Sequence, residues 1–250
     1  MKVIALISGG KDSIYTLCKL KDEGHHIVAC VYMHNKSNYV DSYMFQTVGR
    51  EFIDFIQKVL DIPFVIRETK CYAKNQNLEY EACEYDEVED LFTAVKSAFE
   101  EYGGEAICSG AIESTYQKNR VGNIAKRLNL LSLSPLWKHE QKELLKEMID
   151  YGINAVIVKI ASPLLPDYLL GKDISELYAY LITVKTKWDL NFCGEGGEYE
   201  TIVVNCKHFN NKICFKDIKK VVHPEDIYKN KTEQVMFCCF TDIFLDSTKK

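Results

Sequence analysis

No two of the ten cysteines stand in a C-x-x-C pair; they are scattered at 18, 30, 71, 83, 108, 193, 206, 214, 238 and 239. Thiolate metal sites depend on closely spaced ligands, so this pattern argues against zinc or iron–sulfur chemistry and for reduced thiols, several of them in the core. The chain also lacks any run of roughly eighteen uncharged apolar residues, so no membrane span is expected. Met1 leads straight into an apolar strand without a charged leader and a long apolar segment, so no secretory or organellar address is expected and a cytoplasmic placement is the expectation. No basic stretch is longer than Lys219-Lys220 or Lys249-Lys250, and the formal net charge is -5 with a pI of 5.8. Neither a stable nucleic-acid partner nor an anionic membrane is favoured by that balance. The second half of the chain shows no obvious repeats or low-complexity segments either.

What remains is a chain of 250 residues, 47% of them hydrophobic, enough for one large core or two modest ones. The first half alternates strand and helix signals. Residues 3–7 (VIALI) and 26–32 (HIVACVY) are short, β-branched, apolar runs that suit strands buried on both faces of a parallel sheet. Between them a helix follows Asp12 and is closed by Gly24. Apolar residues from Met44 to Val59 recur at helical spacing and predict a helix over 43–60, followed by a strand over 63–67. Residues 69–83 read as a polar loop. A helix is expected over 84–102, a strand over 105–109, a helix over 115–129 and a strand over 130–133. Repeated units of this kind imply a parallel sheet with right-handed crossovers.

The pattern changes near Pro135 to Trp137, which divides the chain into residues 1–135 and 136–250. The second part predicts helices over 141–151 and 174–189 and strands over 155–160, 198–204, 212–215 and 235–245, with Asn210-Asn211 as a hairpin turn. The fold class is therefore α/β, a Rossmann-like parallel-sheet domain followed by a second, smaller α/β domain.

Two segments carry chemistry. The first is Ser8-Gly9-Gly10-Lys11-Asp12-Ser13, between the first strand and the first helix. It is not the G-x-x-x-x-G-K-[ST] loop, because one residue separates Gly9 from Lys11. Its parts still suit an anion: glycines admit backbone amides, the helix start offers unpaired N–H groups, and Lys11 adds charge. Asp12 is placed either to hold Mg²⁺ or to cap the helix. The second segment is residues 194–201 (GEGGEYET), three glycines among three glutamates, which make a shaped loop or a glycine-rich turn with solvated acids.

The string SGGKDS after a first buried strand resembles the pyrophosphate-binding loop of the ATP pyrophosphatase superfamily, whose members split ATP between the α and β phosphates. Five further blocks narrow the resemblance: DSYMFQTVG (41–49), DEVEDL (86–91), SGAI (109–112), Tyr116-Gln117 with Arg120-Val121, and GEGGEYET. In that order they resemble the diphthine-ammonia ligase family, over roughly the first 200 residues. Tyr85 stands where the family pattern has glycine, and Gly122 where it has glutamate. The chain's end at Lys250 is similar to the family's short form.

The resemblance implies a HUP-like, adenine-nucleotide-binding domain over 1–135 and a substrate-binding domain over 136–250. It implies ATP and Mg²⁺, with ammonium and diphthine-bearing translation elongation factor 2 as partners; a homodimer stays open. Ser8, Gly9, Gly10, Lys11, Asp12 and Ser13 are expected to bind the phosphates, Lys11 and Asp12 catalytically and Asp12 through the metal. Val31, Tyr32, Met33, Ser109, Gly110 and Ala111 are expected beside adenine, or are plain core and turn. Asp86, Glu89, Tyr116, Gln117 and Arg120 are expected to reach substrate; acids at a helix start and a surface ion pair for Arg120 are the plainer alternatives. Glu195 and Glu198 are expected to be catalytic, one of the loop's glutamates taking a proton from ammonium, with Gly196, Gly197, Tyr199 and Glu200 against the cationic substrates and Tyr199 or Trp188 as an aromatic face. Two other readings share the loop. A tRNA-thiolating enzyme is disfavoured by the missing C-x-x-C and the negative charge, and a non-catalytic nucleotide sensor does not call for an acidic glycine-rich loop.

Overall fold

The computed structural model describes residues 1–36, 42–184 and 190–246. In chain order the elements are β1 (Lys2–Leu6), α1 (Lys11–Asp22), β2 (His26–His34), α2 (Ile53–Leu60), β3 (Phe64–Glu68), α3 (Glu87–Tyr102), β4 (Ala106–Cys108), α4 (Thr115–Arg127) and β5 (Leu131–Leu133). They continue with α5 (Gln141–Tyr151), β6 (Asn154–Ile160), α6 (Ile174–Thr183), β7 (Tyr199–Asn205), β8 (Lys212–Cys214), β9 (Asp217–Val222), β10 (Met236–Thr241) and β11 (Phe244–Asp246).

The chain forms two compact units: Met1–Ser8, Asp12–Thr47 and Asp61–Lys138 in the first, and Gly9–Lys11, Val48–Leu60 and His139–Lys250 in the second. The first unit holds a five-stranded sheet in the order β3-β2-β1-β4-β5, all of its pairs parallel. Ile4 faces a core with Val31, Met33, Val88, Leu91, Val95, Ile107 and Ile124, under α3 and α4. Val3 and Ala5, which alternate with it, are equally buried, so β1 is covered on both faces as an apolar parallel strand must be. This strand order reverses between β1 and β4, and the loops that leave those two strands flank the crevice where open α/β sheets bind ligands.

The second unit carries a smaller, wholly antiparallel sheet in the order β7-β6-β10-β9, and a two-stranded β11-β8 ribbon. Its aromatic centre joins Phe52, Phe215 and Phe240 edge to face, with ring centroids 4.8–6.2 Å apart. Seven of the ten cysteines are buried, and burial pushes the thiols of Cys108 and Cys238 up to about 12.

Several expectations are corrected. The helix expected over 43–60 begins only at Ile53, after a single 3-10 turn over Arg50–Phe52. Two local features break it: Ser42 Oγ accepts from the amides of Met44 and Phe45, and Gly49 adopts φ 87°. Met44 and Phe45 still pack on the core and Val48 is buried, so burial spacing alone mimics helical periodicity. Asn210-Asn211 is not a two-residue hairpin turn, since β7 pairs with β6 and β8 pairs with β11. The strand expected over 235–245 is two strands, parted by Asp242 at φ 52°. The edge strand β9 (DIKKVV) was hidden by its lysines, the usual protection of an open sheet edge. Helix α6 ends at Thr183, with Val184 as its C-cap; residues 185–189 of its expected span, Trp188 among them, together with Asp41 and Lys249-Lys250, lie outside the described residues.

The two departures from the family pattern have local explanations. Tyr85 adopts φ 64°, the left-handed conformation in which glycine is least strained, with its ring exposed beneath the Lys74 ammonium at 4.8 Å. Gly122 lies within α4 with open space where a Cβ would go. Gly122→Ala is therefore expected to stabilise the fold by about 0.5–1 kcal/mol, measured by denaturant unfolding.

Candidate active site

The sheet crevice is built from backbone. Ile7 N–H still donates to Val31 O at 2.9 Å, which carries the pairing of β1 and β2 one residue past the strand. Ser8 N–H then donates to Ser13 Oγ at 3.2 Å, and the two serine hydroxyls lie 3.2 Å apart. This closes Ser8 to Ser13 into a tight strand-to-helix turn. Asp12 falls inside the first turn of α1, so it is not the N-cap; an acid there complements the positive helix end. From the neighbouring strand end, Gly110 packs directly on this turn: a Cβ at Gly110 would lie 2.8 Å from the carbonyl carbon of Asp12 and 2.9 Å from Ser13 N. Ser109 and Ala111 are buried on either side of it. Ser8, Asp12, Ser13 and Gly110 are thus brought together. Of the residues expected near adenine, Val31 and Met33 pack in the core under α3, and the Tyr32 ring stacks on His34 with centroids 6.3 Å apart.

Gly9, Gly10 and Lys11 belong with the second unit and are held there by β7 and the loop before it. Gly9, at φ 86°, accepts from Val203 N–H at 2.9 Å. Lys11 N–H, at the start of the helix, donates to Thr201 Oγ1 at 3.1 Å. The Lys11 side chain is buried; its ammonium donates to Cys193 O and lies 4.9 Å from the centroid of the Tyr199 ring. The glycine-rich segment is a closed loop rather than a solvated turn. Glu198 Oε1 accepts from the backbone and side-chain N–H groups of Asn191, at 3.1 and 2.8 Å, and Glu198 Oε2 accepts from Gly196 N–H at 2.9 Å. Gly197 N–H donates to Gly194 O, and both glycines have positive φ. Glu200 pairs with Lys159 at 3.2 Å. Tyr199 is buried and its hydroxyl donates to Phe192 O at 2.6 Å. Glu195 is half-buried on the loop.

A third cluster lies in the first unit at the starts of α3 and α4. Asp86 is the N-cap of α3: Oδ1 accepts from Val88 N–H at 2.9 Å, and Oδ2 from Asn75 N–H at 3.0 Å. It therefore precedes the helix rather than lying in its first turns. Glu89 takes both guanidinium nitrogens of Arg127, at 2.7 and 2.8 Å, and the Tyr80 hydroxyl at 3.1 Å. Arg120 is fully buried, which overturns the surface ion pair as its alternative. Its guanidinium donates to the carbonyls of Tyr116, Asn75 and Asn77 and lies 3.2 Å from the centroid of the Tyr116 ring. It thereby clamps the irregular 69–83 segment to α4. Gln117 donates its backbone N–H to Ser114 Oγ and its side-chain amide to Tyr43 O.

Sequence reasoning passed over Glu87, Cys193 and Thr201. Glu87 is fully buried, its Oε2 accepting from Ser42 Oγ at 2.6 Å and its Oε1 without a partner. Burial raises its carboxyl above the usual range, against the opposing pull of the Ser42 hydroxyl. The folded state then holds the carboxyl proton more tightly than the unfolded chain does, so the stability Glu87 contributes is full below the unfolded carboxyl value and is lost as pH rises through the raised folded one. Glu87→Gln should therefore raise the melting temperature near neutral pH and change it little in strong acid; equal shifts in both buffers would contradict this.

The sheet order, the buried apolar strands and the loop at the crevice define a Rossmann-like α/β protein. Residues 1–132 match the diphthamide synthase N-terminal domain and residues 140–235 the diphthamide synthase C-terminal domain. The chain is 42% identical over 234 residues to the diphthine–ammonia ligase of Homo sapiens, covering 91% of this chain and 88% of that one. It is 39% identical over 233 residues to that of Danio rerio, covering 91% of each chain. With the diphthine–ammonia ligase of Schizosaccharomyces pombe it shares 41% identity over 226 residues, 89% of this chain but only 37% of that protein's length. The chain belongs to the diphthamide synthase family.

Proposed function

We propose that the protein is an ATP-dependent ligase that amidates diphthine on translation elongation factor 2 with ammonium, releasing AMP and pyrophosphate. The observation that carries this reading is the closed Ser8–Ser13 turn at the crevice between β1 and β4, in a chain whose two halves both match diphthamide synthase domains. The first domain (1–135) is assigned to ATP and the second (136–250) to the protein substrate. Because that substrate serves translation, the cytoplasm is the proposed place of action. Among the described residues no helix is long and apolar enough to cross a membrane.

A carboxylate is a poor acyl donor. Its oxygen attacks the α-phosphorus of ATP, forming an acyl–phosphate bond and breaking the bond from the α-phosphorus to the oxygen that leaves with pyrophosphate. Ammonia then attacks the carbonyl carbon, forming the C–N bond and releasing AMP. The backbone amides of Gly9 and Gly10, the start of α1 and Lys11 are the groups that stabilise the charge on the leaving pyrophosphate, a preorganised effect worth several kcal/mol by order of magnitude. Asp12 suits Mg²⁺, which is commonly held by one or two carboxylates together with substrate phosphates. No group of three or more His, Cys, Asp or Glu among the described residues is placed to form a metal cage of protein ligands alone. Mg²⁺ would neutralise developing phosphate charge. One of the loop's glutamates is assigned the proton that ammonium loses before its nitrogen can attack; Glu195 suits this better than Glu198, whose two oxygens already accept from Asn191 and Gly196.

Incubation with ATP, ammonium and diphthine-bearing elongation factor 2 is expected to replace a hydroxyl of the modified histidine by an amino group, read from the mass of the modified peptide. A peptide that keeps its carboxylate under those conditions would contradict the reading.

A further inference from the structure

We infer that Tyr199 is a positioning residue for Lys11, so that the Cys193–Tyr199 stretch serves as a cradle for the phosphate-loop lysine and Tyr199 is not an aromatic face for a cationic substrate. The inference rests on the reading of Lys11 as the group that meets the nucleotide's phosphates.

A lysine ammonium taken out of water needs a carbonyl, a carboxylate or an aromatic face to replace its hydration. Lys11 is 2% exposed, and its ammonium has two such groups from one loop, the Cys193 carbonyl and the Tyr199 ring at 4.9 Å. Both groups are themselves fixed. Cys193 N–H donates to Gln141 Oε1 at 3.0 Å, and the Tyr199 hydroxyl donates to Phe192 O at 2.6 Å. The glycine at 194 belongs to the same arrangement. At φ 77°, its Cα lies so close to the Tyr199 ring that a Cβ would meet Cε1 at 3.0 Å. Glu198 fastens the outer end of the loop through Asn191 and Gly196. The strand that continues from this loop is tied to the phosphate loop by the Thr201 hydroxyl, which accepts from Lys11 N–H, and by Val203 N–H, which donates to Gly9 O.

Tyr199 itself is 4% exposed, which leaves no open ring face for trimethylammonium. A four-carbon lysine stem has many rotamers, and the ring selects among them. Tyr199→Leu removes both the ring and its hydroxyl, while Tyr199→Phe keeps the ring over the ammonium.

The test pairs NMR with kinetics. In the wild-type protein labelled with ¹³C-lysine, the ε-methylene signal of Lys11, assigned by its loss in Lys11→Arg, is expected upfield of the other lysines through the ring current of Tyr199. The shift should persist in Tyr199→Phe and vanish in Tyr199→Leu. In the amidation assay Tyr199→Leu should lower kcat/KM for ATP by roughly 2- to 30-fold, the range a cation–π contact implies, with KM for ammonium and for the protein substrate unchanged. Tyr199→Phe should recover most of that loss. An unshifted Lys11 signal in the wild type overturns the inference without need of any variant. So does a Tyr199→Leu protein whose defect lies in KM for ammonium or the elongation factor and not for ATP. If the wild type makes no amide, the proposed function fails, and the NMR shift still decides whether Tyr199 holds Lys11.

Discussion

Lys11→Met is expected to lower AMP formation by about 10²–10³-fold, the cost typical of removing one preorganised group that stabilises developing negative charge. Methionine keeps most of the apolar stem in a buried site and deletes the charge. Stability should fall as well, because the Cys193 carbonyl loses the lysine as a donor, a change worth about 1–3 kcal/mol for a buried polar group. The two effects separate in measurement. Thermal melts report the second, and kcat at saturating ATP in protein that is still folded reports the first. A rate loss no greater than the fraction unfolded would mean that Lys11 is structural.

Gly110→Ala should be nearly as damaging, though the residue has no side chain to take part in chemistry. The new Cβ would fall within 3.0 Å of three backbone atoms of Asp12 and Ser13, and backbone cannot swing aside as a side chain can. The turn that faces the crevice must move by a fraction of an ångström or more. Misplacement of about 1 Å costs on the order of 10²-fold in rate when a site depends on fixed donors, and overpacking of this kind costs about 1–3 kcal/mol of stability. We expect about 100-fold lower kcat/KM for ATP with cooperative unfolding retained. An alanine variant with normal ATP kinetics would place the nucleotide elsewhere.

Much of the fold is legible in the sequence because buried parallel strands leave an unmistakable mark. VIALI and HIVACVY are apolar on both faces, and Gly24 closes α1 where it is expected, as Gly103 and Gly152 close α3 and α5. What is hidden depends on contacts between residues far apart. The 42–49 segment buries Met44, Phe45 and Val48 without being helical, because Ser42 and Gly49 redirect the backbone. Lys219 and Lys220 read only as a short pair of like charges, and they lie on an edge strand not expected from the sequence.

The site divides in the same way. The glycines and lysine of SGGKDS announce an anion by their chemistry alone. Glu198 looks like a solvated acid until the loop closes and Asn191 and Gly196 take both its oxygens. Arg120 looks like a surface cation, yet it binds carbonyls of the 69–83 segment, and no spacing in the sequence foretells a guanidinium held by backbone some forty residues away. Glu87 sits one residue beyond Asp86 and is just as buried, and hydrogen bonding sets the two apart in role: Asp86 caps a helix and accepts from two backbone N–H groups, while Glu87 keeps one oxygen without a partner and its carboxyl is pushed up by burial.

The central claim is which bond of the nucleotide breaks. Turnover of α-³²P-labelled ATP by this protein, with ammonium and diphthine-bearing elongation factor 2 present, should yield labelled AMP and unlabelled pyrophosphate in equal amounts, and none when the elongation factor is left out. Labelled ADP with inorganic phosphate, or amide formed without consumption of ATP, would contradict the account.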